Sequence, residues 1–230
     1  RQYFGAEPVD FQHTLEETLS LADRIRPMIG DVPRRLFEAR AARDAAVEAA
    51  RRFRFLADCS RRLSSSLDYD AVLEALPQLC VDGIADWAIL YMVREDGTIE
   101  RMEVAHRDPS KRDTMRALRD MPFRPGEGHP VQRVIDEREP LLVQRVGSEQ
   151  LASFSTDETY LDFVRQLGIT SYMIVPMIAR DRVVGAIALV ASDPARECGD
   201  DDLAPARDLA LRAALALDNA RLYRMAQEAN

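Results

Sequence analysis

Apolar residues between positions 169 and 192 form two nearly continuous runs that flank one charged triplet, Arg180-Asp181-Arg182. Runs this apolar predict two strands that are buried on both faces and joined as an antiparallel hairpin at the centre of a sheet. Pro176 interrupts the first run and requires a bulge or a free strand edge, because proline has no N–H to donate. Gly185 interrupts the second run. Together the interruptions indicate space in the sheet where a small molecule would fit.

Helical spacing dominates the first 67 residues. Pro27 and the sequence Gly30-Asp31-Val32-Pro33 predict that a first helix ends there, so residues 1–32 are interpreted as a separate N-terminal segment. A second helix is predicted over residues 33–67, with a seam typical of coiled coils. It either packs on its own domain or forms a dimer stalk that carries a signal. The seam consists of Ala49, Phe53, Leu56, Ser60, Leu63 and Leu67.

The rest of the pattern predicts a helix capped by Asp68 and a helix that begins with a capping box of Ser155 and Glu158. Strands are predicted at 87–93, 99–106 and 141–144, and helices at 110–121, 131–137, 157–167 and 203–228. This order predicts an α+β fold with one mostly antiparallel sheet over residues 53–228. The long terminal helices are expected on one face of the sheet. The helix and loop excursion of residues 110–166 is expected on the other face.

Composition and charge narrow the function classes. The chain has 230 residues, 47% of them hydrophobic, and a formal net charge of −8, which disfavours non-specific nucleic-acid binding. No apolar stretch reaches the 18 or so residues of a membrane span, so no membrane insertion is expected. Cys59, Cys80 and Cys198 are widely spaced, which fits reduced thiols in the cytoplasm. The sequence contains no Ser-His-Asp arrangement, phosphate loop or metal-ligand cluster, so it predicts a binding module and no enzyme.

Between about Phe53 and Gln227, several short motifs resemble motifs of GAF domains, both in their residues and in their order and spacing. They include Leu63 to Asp68, Ala85-Asp86-Trp87, Val104 to Pro109, Gly126-Glu127-Gly128, a "S-x-x-x-V-P-L"-like strand at Ser171 to Met177, a "G-x-L-x-L"-like strand at Gly185 to Leu189, and a closing helix at Leu215 to Tyr223.

The resemblance implies a PAS-related fold and a regulatory role, as in GAF modules of bacterial sensor histidine kinases and PP2C-type phosphatase regulators. It also implies a kinase or phosphatase output domain in the full-length protein. We expect a homodimer that forms through the terminal helices, and no cofactor. We expect a ligand to favour one packing of the excursion on the sheet. That bias would pass through the terminal helices to the output domain.

The residues of this chain match the known ligand sites of GAF domains to different extents. Phe154, Asp157 and Glu158 partly match a cyclic-nucleotide pattern, but the spacing is one residue short and the Asn-Lys part is missing. Bilin attachment needs a cysteine followed by histidine, and none of the three cysteines has one. Haem needs an axial ligand, for which His129 is the first choice and His106 the second. A methionine sulfoxide reductase needs reactive cysteines close together, which the spacing does not predict.

A mostly apolar cavity between the sheet and the excursion is the expected site for a small molecule. Two alternatives remain open, a ligand-free structural dimerisation module and a haem or gas sensor. A buried void of roughly a few hundred Å³ would favour the sensor, and a packed interior the structural module. The candidate ligand-binding residues are Tyr91, Val104, His106, Phe123, His129, Phe163, Tyr172 and Ile174; the candidate dimer-interface residues are Phe53, Leu56, Leu63, Leu217 and Tyr223.

Overall fold

The first helix, α1, spans Phe11–Ser64 without the predicted break. The computed structural model describes residues 11–64, 66–123, 128–155, 157–193 and 196–228, and it divides the chain into two units, 1–52 and 53–230. The break predicted at residues 30–33 is wrong, because these residues are helical. The flanks are rich in Ala, Arg, Leu and Glu. Their helix propensity outweighs a cost of about 1 kcal/mol for glycine and about 3 kcal/mol for proline.

The second unit contains a five-stranded sheet and the remaining helices. The helices are α2 (Tyr69–Gly83), α3 (Arg112–Asp120), preceded by a 3-10 turn (Pro109–Lys111), α4 (Pro130–Glu137), α5 (Ser148–Ala152), α6 (Glu158–Gln166) and α7 (Asp200–Glu228); the strands are β1 (Trp87–Val93), β2 (Ile99–His106), β3 (Leu141–Val143), β4 (Ser171–Ala179) and β5 (Arg182–Ala191). The predicted α+β order is confirmed, and only the short α5 is absent from the predicted elements. Over the described ranges, none of the helices combines the length and the apolar composition that a membrane span requires.

All neighbouring strands pair antiparallel, in the order β2-β1-β5-β4-β3. The predicted hairpin is formed by β4 and β5. Its tight turn places Arg180 and Asp181 at φ angles of 48° and 61°. Positive φ at both central residues is the property of a type I′ turn, whose twist matches that of the flanking strands.

The two interruptions of the hairpin arms are part of the construction of the sheet. β3 pairs only with Tyr172–Ile174, so in the described part of the chain no strand covers β4 on that side at Pro176. On that side no strand of the described chain requires an N–H from Pro176. At Gly185, a Cβ would lie 2.2 Å from the carbonyl oxygen of Tyr91 and 2.7 Å from Cε of Met177. The expected space for a ligand is therefore absent at this glycine, because neighbouring atoms fill it.

Both faces of the sheet are buried. Alternate strand residues such as Leu90 and Leu189 pack on one face with α2, α7 and the last turns of α1. Their neighbours, such as Tyr91 and Val190, pack on the other face with α3, α4 and partly buried side chains of α6. This arrangement confirms the predicted layers, with the terminal helices on one face and the excursion on the other.

Side-chain caps fix where two helices begin. Asp68 caps α2 as predicted, because its carboxylate accepts hydrogen bonds from two N–H groups of the first turn. The predicted capping box of Ser155 and Glu158 is wrong. Asp157 is the N-cap of α6, and its Oδ1 accepts from the N–H of Thr159 at 2.9 Å. A carboxylate next to the helix satisfies the first-turn donors directly, so the serine two residues earlier is not needed for this role.

We predict that Gly185→Ala lowers the free energy of unfolding by about 2–4 kcal/mol, because the new methyl group would collide with the backbone of β1. Urea unfolding followed by circular dichroism measures this change. Gly199→Ala is the matched control, since the nearest atom to its Cβ lies 3.9 Å away. Equal stability of the two variants would contradict the packing described at Gly185.

Candidate functional site

A small cavity lies between the sheet and the excursion. It offers about 40 Å³ to the centre of a water-sized sphere, which is room for water and little more. Four predicted ligand-binding residues are among its walls. The lining residues are Trp87, Ile89, Tyr91, Leu118, His129, Val131, Phe154, Tyr160, Val164, Ile169, Tyr172, Ile174, Ala188 and Val190. The cavity is mostly apolar, as expected, but it is far smaller than the volume that would favour a sensor.

A wider cleft of about 610 Å³ adjoins this cavity on the excursion side. Phe154 and Tyr160 line both spaces, so their rings form the partition between them. The other lining residues of the cleft are Arg101, Met121, Pro122, Phe123, Ser155, Asp157 and Thr159. The volume of the cleft falls within the range of roughly 300–1,000 Å³ found for small-molecule sites. Unlike the cavity, the cleft combines aromatic rings with polar and charged groups.

Arg101 is the most unusual side chain of the cleft, because it is a cation with only 5% of its surface exposed. A β-bulge places it there. The register of the β1–β2 pairing shifts by one residue between Leu90 and Tyr91, so that Tyr91 of β1 lies opposite Arg101 of β2. Without the shift, the alternation of the strand would place Arg101 on the α7 face. The bulge therefore delivers a guanidinium to the cavity face of the sheet.

The guanidinium of Arg101 is held by neutral partners. Its Nη1 donates to the carbonyl oxygens of Leu118 and Met121, and its Nη2 donates to the hydroxyl of Tyr160 at 3.0 Å. The guanidinium carbon lies 4.9 Å from the ring centre of Phe123 and 5.3 Å from that of Tyr160. Within the described ranges, Nε is buried and has no hydrogen-bond acceptor.

His129 is both a helix cap and a wall of the cavity. Its Nδ1 accepts a hydrogen bond from the N–H of Val131 at 3.1 Å, which places the proton of the neutral ring on Nε2. Burial, with a smaller contribution from the positive charge of Arg101, lowers the pKa of His129 to about 4. The ring packs against Phe123 and Phe154, with centroids at 5.1 and 6.1 Å. His129 is therefore neutral at physiological pH.

The environment of His129 does not fit a haem group. One ring nitrogen already caps α4, and the adjoining cavity is too small for a tetrapyrrole. The residues present thus provide neither the space nor the free histidine that an axial site requires.

The tyrosines of the site and the cysteines of the domain are poor acids, bases and nucleophiles at neutral pH. Burial raises the pKa of Tyr91 and Tyr160, and that of Tyr172 to about 12. Burial likewise raises the pKa of Cys59 to about 11 and also raises the pKa of the other two thiols. Thiols in this state are inert. Across the described residues, no cluster of three His, Cys, Asp or Glu side chains is arranged to hold a metal ion.

The other predicted ligand-binding residues are dispersed. Phe123 lines the wide cleft, and Phe163 packs partly buried against the same apolar face without lining either space. Val104 and His106 line a separate hollow of about 430 Å³ between β2 and α3. The Nδ1 of His106 accepts from the N–H of Asp108 at 2.8 Å, and partial burial lowers its pKa. These last two candidates therefore do not meet the others.

The predicted dimer residues fall into two groups. Leu63 and Leu217 are 2% and 1% exposed and belong to the core beneath α7, so their apolar character serves the single domain. Leu56 is partly buried against the same core. Phe53 and Tyr223 are exposed. Leu63 and Leu217 are therefore withdrawn as interface candidates, because a buried side chain cannot also contact a partner.

Arg101, Phe154 and Tyr160 are the most informative of the site residues that the sequence prediction lacks. An arginine within a strand is ordinarily read as a solvent-facing residue, and only the bulge turns it inward. Phe154 and Tyr160 flank Asp157, which the sequence prediction considered as part of a nucleotide pattern and which the structure shows to be a helix cap. The aromatic residues on both sides of this helix start were the sequence feature that could have indicated the cleft.

We predict that the stability of the protein falls as the pH drops from 6.5 to 4, because unfolding allows His129 to take up a proton that the folded state excludes. The folded pKa is lowered, so this contribution is complete above the unfolded pKa near 6.5 and is lost as the pH falls towards 4, on the order of 3 kcal/mol. His129→Asn keeps a capping acceptor but cannot titrate. Urea unfolding from pH 4 to 7.5 should give a shallower pH dependence for the variant; parallel curves would refute this role.

Solved structures with a similar fold come from bacterial signalling proteins. The GAF domain of a phosphoenolpyruvate-protein phosphotransferase from Coxiella burnetii aligns with a TM-score of 0.58 and 14% identity, covering 77% of this chain and 98% of that one. The GAF domain of such a protein from Acinetobacter gives 0.56 and 15%, covering 74% and 94%. The GAF-B domain of DevS from Mycobacterium smegmatis gives 0.50 and 18%, covering 69% and 98%. At these identities the similarity concerns the fold.

Short stretches also match curated enzymes. Adenylosuccinate synthetase of Nitrosospira multiformis is 62% identical over 42 residues, which are 18% of this chain and 10% of the enzyme. The enzyme of Paraburkholderia phytofirmans is 58% identical over 41 residues, 18% and 9% of the two chains. The chain thus spans about a tenth of the length of these relatives.

The family assignment rests on a much longer match. The family model of the GAF domain matches residues 68–217, which is more than half of the chain. The matched region contains every strand of the sheet, the cavity and the cleft. GAF domains are typically regulatory modules that bind small molecules. The chain therefore belongs to the GAF domain family.

Proposed function

We propose that this GAF domain is a non-catalytic, cytoplasmic sensor module that binds a small molecule in the wide cleft and relays its presence to an output domain. The observation that carries the proposal is the cleft itself, with its buried Arg101 and its aromatic partition to the inner cavity. The ligand would bind in the cleft and displace the rings of Phe154 and Tyr160. Its apolar part would then enlarge and fill the inner cavity.

The relay would use strands that contribute to both cores. In β4, Tyr172 and Ile174 face the cavity, whereas Met173 and Val175 face the side of α7. A shift of β4 on ligand binding would therefore change the surface of the sheet on which α7 packs. Two packings of α7 that differ by a coupling free energy of about 1–3 kcal/mol would suffice for regulation. We propose a kinase or phosphatase as the output domain, in line with the signalling proteins from which the structural neighbours come.

The module would act as a homodimer through the exposed side of α7. Four large apolar residues there are exposed and follow the three-and-four spacing of a coiled-coil seam. Phe53 and Tyr223 add exposed aromatic rings. The α7 residues are Leu211, Leu215, Leu222 and Met225. Pairing of two copies along this line would remove their apolar surface from water.

A ligand-free structural dimerisation module is the second candidate. The small volume of the inner cavity supports it, because the interior of the domain is then nearly packed without a ligand. The two candidates share the dimer and differ in whether the cleft is ever occupied.

We predict that native mass spectrometry of the protein purified from its own cells shows a bound small molecule. Ala188→Leu should abolish that extra mass, because the larger side chain extends into the inner cavity. Leu189→Ala is the control, since it destabilises the opposite core without touching the cavity. Absence of a bound molecule in the wild type would favour the structural module, and retention in Ala188→Leu would contradict the proposed site.

We predict that Leu215→Arg converts the dimer into a monomer at micromolar concentration, because it places a charge in the exposed apolar line of α7. Size-exclusion chromatography with light scattering measures the mass. Leu217→Ala, two residues away and buried, should lower stability and leave the dimer mass unchanged. A wild-type protein that is only monomeric would contradict the proposed interface.

A further inference from the structure

We infer that the ligand of the cleft is a monoanionic carboxylate attached to an aromatic or branched apolar body, and that Arg101 binds its carboxylate. The inference rests on the proposed sensor function, because it names the chemistry of the molecule that the cleft would take. Its starting point is a cation that the fold buries and leaves with an unsatisfied Nε.

A buried guanidinium without a counter-charge is costly, and the partners of Arg101 compensate it only in part. The carbonyl oxygens of Leu118 and Met121 belong to the C-terminal end of α3, where the helix dipole supplies roughly half a negative charge. Tyr160 stays a neutral hydroxyl, because burial raises its pKa. In the described ranges no carboxylate pairs with Arg101. Removing a charge from water without full pairing costs several kcal/mol. An arriving anion would offset part of that cost, less the cost of its own desolvation.

The free donor of Arg101 matches a carboxylate. Two of the three guanidinium nitrogens already donate to protein groups, whereas Nε is buried without an acceptor in the described ranges. Displacement of the partition rings would expose this nitrogen to a ligand in the cleft. Charge-assisted hydrogen bonds of this kind are among the strongest that a protein forms. The structural bonds of Nη1 also fix the orientation of the guanidinium before a ligand arrives, so little ordering is needed on binding.

One negative charge suits this site better than two. Among the described residues that line the cleft, Arg101 is the one cation, and Asp157 contributes a carboxylate. A phosphate dianion would meet that carboxylate with a single arginine in compensation, whereas a carboxylate monoanion balances the charge of Arg101 alone.

The surroundings of Arg101 select an apolar body. The rings of Phe123 and Tyr160 lie against the guanidinium, and Phe154 continues the aromatic surface towards Tyr172 at a centroid distance of 5.4 Å. Beyond this partition lies the apolar cavity. A carboxylate anchored at Arg101 would therefore direct a ring or a branched chain across the partition. Apolar walls with one placed polar group are typical of small-molecule sites.

The position of Arg101 also gives ligand binding a mechanical effect. The same guanidinium holds the end of α3 through Nη1 and would hold the ligand through Nε. An anion on one side reduces the positive character of the guanidinium and loosens the bonds that it donates on the other side. The C-terminal end of α3 is then the first part of the excursion to respond.

The test uses the full 230-residue chain and calorimetric titration with phenylacetate, 3-methylbutanoate, phenylacetamide and phenyl phosphate. The two carboxylates should bind at least about tenfold more tightly than the amide or the phosphate ester. Arg101→Lys keeps the charge but loses the planar fork, and should weaken phenylacetate binding by about tenfold or more. Arg101→Met should abolish binding. The Nε–H proton resonance of Arg101 in the wild type should shift on adding phenylacetate, which reports the contact in a protein that is certainly folded.

Several outcomes would overturn the inference. Equal binding of phenylacetamide, or phenylacetate affinity unchanged in Arg101→Met, would show that the charge of Arg101 is not used; the sensor proposal would then stand with a different ligand class. Preference for phenyl phosphate would replace the carboxylate by a dianion. Binding of no probe, together with no bound molecule in native mass spectrometry, would remove both the inference and the sensor proposal.

Discussion

The double burial of the central strands is the constraint on which the rest of this domain depends. Strand β5 lies between β1 and β4 and directs alternate side chains into two separate apolar cores. A slip of one residue would exchange the two sets of side chains, so both cores fix the same register. The close contact between Gly185 and the backbone of β1 reinforces that register. Because the cores share their strands, a change of packing on one face is also a change on the other.

The sizes of the side chains explain why the cavity and the cleft lie on the excursion face of the sheet. Small residues of α7, such as Ala210, Ala213 and Ala214, allow that helix to lie close to the sheet, and the core beneath it is filled. The opposite face carries large rings, such as Trp87 and Tyr91, next to small residues of β5. Large and small groups side by side keep the covering helices away from parts of the sheet. Cavities and a cleft remain where the rings do not interlock.

The fold was predictable from the sequence to a greater extent than the site. Continuous apolar runs identified the hairpin of β4 and β5, and Tyr91 and Tyr172 were correctly assigned to the cavity face. Arg101 escaped prediction because a bulge, which has no reliable sequence pattern, reverses the side to which it points. The helical conformation through residues 30–33 was missed because local breakers were weighed without the propensity of their long flanks. A periodic pattern identifies the apolar positions of a strand or helix. It does not identify the position of a bulge, at which the side chains change faces.

The short third strand has a consequence for how this domain meets other chains. β3 covers only the first part of β4 in the described structure, and the uncovered part would offer carbonyl and amide groups to any extended peptide. Pro176 lies within that part and has no amide proton to offer. A foreign strand that paired along this part would meet one residue without an amide donor. The proline that interrupts the apolar run therefore makes the uncovered edge of β4 a poorer template for edge-to-edge pairing than an edge without proline.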